Sequence, residues 1–209
     1  VSTISFSQIN EISILLYPTY GSEKLNLTDS TFSSNDSSHV NIEVLKFYIS
    51  KIKLLKNSKI VFEESNSFHL VDAAKSSSLI IPLKNKQIID FDELVFSLGI
   101  DSITNVSGAI GGNLDPTNGM YWTWQSGYIN FKLEGKSDLC SKPKNEFQFH
   151  LGGYSQPNYA IQNLVFRLKH SKTINLKLDI QKILMQIDLA NTNHIMSPSA
   201  ETVMLSRNV

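Results

Sequence analysis

An all-β fold, an antiparallel β-sandwich forming one domain over residues 1–209, is what this sequence predicts. Three observations predict it. Gly127 to Gly135 alternates strictly, with Ile129, Phe131 and Leu133 on one face, the pattern of a half-buried strand. Glu146 to Leu151 alternates in the same way and puts Phe147, Phe149 and Leu151 in the core. Elsewhere, short apolar runs are separated by polar turns, with no βαβ rhythm, no glycine-rich phosphate loop and no internal repeat.

The elements follow in chain order. Ser13–Tyr17 reads as a first strand that Pro18 stops. Gly21 to Ser38 is a polar surface excursion in which Leu25 and Leu27 are the regular apolar pair. Ile42 to Leu55 alternates and is rich in Ile, Phe and Tyr, so strand is favoured over helix. A turn at Lys56-Asn57-Ser58-Lys59 returns the chain through Ile60 to Phe62, a hairpin. Phe68–Asp72, Leu79–Leu83 and the run Glu93–Ile100 are further strands. After the central loop come the two alternating strands, then Ala160–Lys169 and the clean alternation Ile174, Leu176, Leu178, Ile180. Gln181–Leu189 fits a strand end or a short helix equally, and the tail after Pro198 is peripheral or a short helix.

Composition narrows the function. A hydrophobic content of 41% with 10% aromatics is enough for a packed core in a chain of 209 residues. With 19 basic and 19 acidic residues evenly spread, no nucleic-acid surface or polybasic membrane patch is present. No apolar run reaches the length of a membrane span. No signal peptide is visible, and the abrupt start at Val1 is compatible with one removed upstream. Cys140 is the single cysteine, so an intrachain disulfide is ruled out.

The stretch from Asp101 to Gly135 is the most informative. Its first two-thirds are glycine, asparagine, serine and aspartate, the composition of a structured loop. Loops this long are functional or disordered, and Met120, Tyr121, Trp122 and Trp124 supply burial that argues for order. The sandwich therefore carries a long ordered loop that holds both tryptophans of the chain. Asp101, Asn105, Asp115 and Asn118 offer oxygen atoms to a hard cation, but their spacing is not that of a calcium loop. Local turns and caps explain them more cheaply.

Within that stretch, Leu114-Asp115-Pro116, Asn118-Gly119-Met120, Trp122, Trp124, Ser126-Gly127-Tyr128, Lys132 and Glu134-Gly135 resemble the signature of the MbnP-like family of methanobactin-associated, copper-binding proteins. Weaker echoes are Phe68–Asp72, Phe149–Gly153 and His194–Pro198, so the resemblance covers most of the chain from about residue 45 onward. It implies a location in the periplasm or cell envelope, with membrane attachment through an N-terminal lipid outside this sequence. It also implies copper, and a tryptophan converted to kynurenine by a diheme, MauG-like enzyme similar to cytochrome c peroxidases. Both Trp124 and Trp122 are candidates for that modification. Trp124, beside Gln125-Ser126-Gly127, is expected to be the more exposed ring and is the favoured one, with Trp122 packed.

Metal ligands are read from the same pattern. His150 leaves a strand beside Gly152 and Gly153, on the polar face with Gln148. His194 and Met196 form an H-x-M element whose side chains share one side of an extended segment. Imidazole with thioether suits copper, Cu(I) above all. His69, three residues before Asp72, and Met120 are the further candidates. His39 and His170 sit in charged surroundings and receive no role, and Lys132 and Glu134 are expected to pair along one strand face. Each candidate also has a plain structural reading, as a solvated histidine or a packed methionine. No nucleophile elbow or catalytic set is found, so the expectation is a binding protein and not an enzyme. An adhesion or carbohydrate-binding sandwich is the alternative, since Tyr121, Trp122 and Trp124 are rings that stack on sugars.

Overall fold

The computed structural model describes residues 12–27, 31–33, 38–84, 90–124, 127–140, 144–169 and 171–209. In chain order these form β1 (Ile12–Tyr20), β2 (Glu23–Lys24), β3 (Thr31–Ser33), β4 (His39–Lys56), β5 (Lys59–Glu63), β6 (Phe68–Asp72), β7 (Ile80–Leu83), β8 (Glu93–Leu98) and helix α1 (Ser102–Val106). Then come β9 (Tyr121–Trp122), β10 (Gly127–Ser137), β11 (Glu146–Gly152), β12 (Gln162–Arg167), β13 (Thr173–Asp179), α2 (Ile180–Leu184), β14 (His194–Ile195) and α3 (Ala200–Ser206). The ambiguous stretch after β13 opens as helix, and the tail ends as one. None of the helices is long and apolar enough to cross a membrane.

The fold is all-β, built from two sheets that close over one core. The smaller sheet holds β13, β1, β2 and β7, and the larger holds the remaining strands around β4. Ile14, Leu16, Ile174 and Leu176 of the first belong to the same buried cluster as Leu45, Phe47, Leu133, Phe147, Phe149 and Leu151 of the second.

The 18-residue β4 is the spine because it is long enough to seat strands end to end on both sides. Phe47 pairs with both Phe131 of β10 and Val71 of β6, and Ile49 with both His69 of β6 and Leu98 of β8. A strand has two flanks, so β10 and β8 follow one another along one flank, with β3, β6 and β5 along the other. The β4–β5 hairpin turns at Asn57 and Ser58, at φ 49° and 61°, the pair of positive dihedrals that a two-residue turn needs to match strand twist.

Three details differ from the sequence reading. The sheets are mixed, not purely antiparallel: β1 runs parallel to β13, and β11 parallel to β14. Parallel neighbours need long connections, most of the chain for β1 and β13 and some forty residues for β11 and β14, which periodicity cannot register. Pro18 does not stop β1. Backbone groups alternate between flanks, and the Ser13 N–H reaches Lys172 O of the β13 side. Pro18 therefore faces the other flank, where β7 has already ended at Leu15, and its carbonyl accepts from Leu25 N–H at 3.0 Å. Third, the β10–β11 register slips between Ile129 and Phe131. That bulge moves Ile129 out of the main core, while the other five predicted core residues stay in it.

Ile129 instead joins a second cluster with Tyr48, Ile100, Leu114, Met120, Trp122 and Tyr128. This cluster lies beneath the 101–124 loop, on the face of the large sheet opposite the main core. Two tyrosines fasten the loop from below. Tyr48 Oη donates to Asn113 O at 3.0 Å. Tyr128 Oη lies 3.0 Å from Leu114 O and accepts from Ile110 N–H at 3.1 Å. Their rings meet edge to face at 5.9 Å. Tyr128→Phe strands those loop groups without a partner. It is expected to cost about 1–3 kcal/mol in denaturant unfolding and to speed amide exchange at Ile110; unchanged stability and exchange would show the loop is held by other means.

Candidate functional site

The outer face of the large sheet, next to the loop, carries a row of charged and titratable side chains in register. Asp72 of β6 pairs with Lys46 of β4, Lys46 with Lys132 of β10, and Lys132 with His150 of β11. Lys46 Nζ lies 3.4 Å from Asp72 Oδ2, and Lys132 Nζ lies 3.2 Å from Glu134 Oε1. Both ammonium groups also reach the loop: Lys46 donates to Asn118 O at 3.2 Å and Lys132 to Gly119 O at 3.4 Å. The expected Lys132–Glu134 pair is thus present, and it does more than pair.

His150 ends this row. It is 6% exposed, so of the solvated and hydrogen-bonded readings open to a histidine on this face the structure shows the second. Its Nε2 lies 2.6 Å from Glu134 Oε1. Burial pushes the imidazole below its ordinary 6.5; the bond to Glu134 opposes this, and the neighbouring Lys132 and His194 add to it. Burial would raise Glu134, but the hydrogen bond from His150 and the charge of Lys132 outweigh it and hold the carboxyl below its usual range. The imidazole meets the carboxylate through Nε2, so Nδ1 is the ring nitrogen outside this contact.

The tail supplies the second half of the site. β14 pairs in parallel with β11, His194 with Gln148 and Ile195 with Phe149. Gln148 and His150 share a face, so His194 stands on the face of His150. Met196, 43% exposed, follows directly after the paired residues. Pro198 then packs over Gly153, and Asn158 Nδ2 donates to Pro198 O at 3.4 Å, which pins the tail along β11. Two segments more than forty positions apart thus bring His150 and His194 to neighbouring strands at one sheet edge.

Trp122 borders the same place. A Cβ on Gly152 would come 2.8 Å from Trp122 Cζ3 and 2.7 Å from Tyr128 O, so glycine there makes room for the ring next along the face from His150. Trp122 is 6% exposed and its buried Nε1 has no hydrogen-bond partner. Trp124 is 66% exposed, with its ring centroid 6.0 Å from that of Trp122. The contrast in exposure matches the sequence reading: β9 pairs Trp122 with Gly127, and Trp124 falls in the turn beyond.

Other candidates go elsewhere. His69 lies in β6, three strand spacings or about 14 Å across the sheet from β11, and its Nε2 is 2.7 Å from Glu64 Oε2. Glu64 also accepts from Ser67 Oγ at 2.6 Å, which ties the β5–β6 turn together. Met120 is fully enclosed in the second cluster. His170, Gln125 and Ser126 lie outside the described residues. The loop oxygens are committed locally. Asp101 caps α1 through Thr104 N–H at 2.7 Å, Asn105 Oδ1 accepts from Tyr128 N–H at 2.8 Å, Asp115 holds Thr117, and Asn118 Nδ2 donates to Gly112 O at 3.1 Å. Among the described residues no three His, Cys, Asp or Glu side chains are grouped to hold a metal. Imidazole and thioether, as in His150, His194 and Met196, are soft donors of the kind that suit copper.

Glu134 and Gly152 were missed as site residues by reading the sequence. Both belong to stretches already singled out, but only strand register shows that Glu134 meets His150 and that Gly152 meets Trp122.

Two outcomes are expected. Gly152→Ala should displace Trp122, costing about 1–3 kcal/mol and changing the tryptophan fluorescence; a native spectrum and stability would contradict the contact. Because His150 titrates lower folded than unfolded, the unfolded chain binds more protons as pH falls below about 6.5. Stability is therefore expected to drop on acidification through that range, and more gently in His150→Gln. Equal slopes in the two proteins would show that His150 does not bury its neutral form.

Comparison with known proteins bears on the fold and the family. Residues 9–197 match the family model of MbnP. Among solved structures, MbnP from Methylosinus trichosporium superposes with a TM-score of 0.68 at 12% identity, covering 93% of this chain and 86% of that one. At that identity the likeness is one of fold. Nothing among curated proteins matches. The match to the family model, which spans nearly the whole chain, is what decides membership: this chain belongs to the MbnP family.

Proposed function

We propose that this protein is a non-catalytic copper-binding protein of the periplasm or cell envelope. The copper is held by His150, His194 and Met196 beside Trp122. The observation that supports the reading is the β11–β14 register, which pairs His194 with Gln148 on the strand of His150, with Met196 two residues further along the tail. Neutral imidazole and thioether are soft, uncharged ligands, which favour Cu(I) over hard dications. Family membership supports copper as the metal.

The tryptophan pair supports a second element, oxidation by a diheme, MauG-like partner. Trp124 is the exposed ring that such a partner can approach. The sequence reading favours Trp124 as the modified ring; the buried position of Trp122, its ring centroid 6.0 Å from that of Trp124, favours Trp122 instead, with oxidation passing inward from Trp124. Conversion of Trp122 to kynurenine replaces an indole N–H that is buried without a partner by a ketone and an aniline nitrogen at the site.

Two measurements test the reading. Cu(I) titration should show one tight site in the protein, lost when His150 and His194 are both replaced by alanine; equal affinity in the double variant would rule the site out. Co-expression with the diheme enzyme should modify the Met120–Lys132 peptide at Trp122, as read by mass spectrometry. A peptide left unmodified would make both tryptophans structural, and a mark on Trp124 alone would reverse the roles of the two rings.

A further inference from the structure

His150 is held by a chain of contacts that begins in the loop. Gly119 O, the carbonyl just before Met120, accepts from Lys132 Nζ at 3.4 Å. Lys132 Nζ lies 3.2 Å from Glu134 Oε1, and the same oxygen lies 2.6 Å from His150 Nε2. Across the strand pair, Lys46 repeats the pattern with Asn118 O and Asp72. Glu134 is thus the one carboxylate among these contacts that touches both the loop-holding lysine and the buried imidazole.

We propose that Glu134 is a positioning residue: it locks His150 in the tautomer with the proton on Nε2, so that Nδ1 is the nitrogen presented to a metal, and it links that lock to the seating of the loop through Lys132. An ionised carboxylate only accepts hydrogen bonds, so an imidazole bonded to it through Nε2 must carry its proton there. A histidine ligand whose second nitrogen is bound to a carboxylate has its ring angle fixed and its basicity raised. Glu134 does this from the neighbouring strand, on a rigid element, and touches no metal itself. The part concerning the metal rests on the copper reading above, whereas the tautomer is a property of the apo-protein.

The test is Glu134→Gln, which keeps volume and hydrogen-bonding reach. A carboxamide can accept from Nε2–H or donate to a bare Nε2, so it removes the lock without removing the contact. Nitrogen-15 NMR of the histidine rings in the metal-free full chain, well above the imidazole titration range, should show His150 wholly protonated on Nε2 in the parent protein. E134Q should show both tautomers, with Cu(I) affinity about 10- to 100-fold weaker. A purely structural carboxylate would leave the tautomer populations unmoved. His150 protonated on Nδ1 in the parent protein, or the same single tautomer in E134Q, overturns the proposal. If the tautomers mix as expected but the parent protein takes up no Cu(I), the positioning role stands and the copper reading falls. If copper binds with equal affinity in both proteins, the link from Glu134 to the metal falls and the copper reading stands.

Discussion

Lys46 and Lys132 face one another directly across the β4–β10 pair, and the geometry of the site follows from how that repulsion is answered. Like charges placed opposite one another on neighbouring strands are destabilising. Here each ammonium is met by a carboxylate, Asp72 or Glu134, and by a loop carbonyl, that of Asn118 or Gly119. The pairs are largely covered, with Lys46 and Lys132 side chains 26% and 18% exposed, so solvent screens them less than it would a surface pair. The loop is thereby pulled onto the sheet by charge on one side and by Tyr48 and Tyr128 on the other. Met120 and Trp122 are carried down with it.

The two faces of the large sheet divide the labour. One face builds the core with the smaller sheet and gives a stiff platform. The other face carries the loop, the charged row and the tail, so that His150 is shaped by three separate segments. Such a site tolerates loss of neither part easily: the tail brings His194 and Met196, and the loop brings Trp122. A bound metal would join segments that the chain itself connects only through long excursions.

Much of this architecture was legible in the sequence, and what was not has a common cause. Strict alternation named both central strands and all but one of their core residues. The polar neighbours of Trp124 marked it as the more exposed ring, and the structure agrees, with Trp122 paired in a short strand and Trp124 in the turn beyond. Periodicity assigns a face, however, and says nothing of neighbours or register. The burial of His150 comes from the covering segments, the Glu134 contact from the β10–β11 register, and the parallel pairing of β14 from a connection of some forty residues. The bulge that diverts Ile129 and the passage of β1 through Pro18 are likewise settled by which flank of a strand is occupied. His69 shows the converse: its neighbours in sequence suggested a ligand, while its strand lies across the sheet and its ring is taken by Glu64.

The central claim is a place: one copper ion at the edge where β11 meets β14. Anomalous diffraction at the copper edge from crystals of Cu(I)-loaded protein locates the ion without assumption. The account predicts a single peak within bonding distance of His150 Nδ1, the His194 ring and Met196 Sδ, on the Trp122 side of the sheet. A peak at His39 or His69, or at the loop oxygens of Asp101 and Asp115, would contradict it.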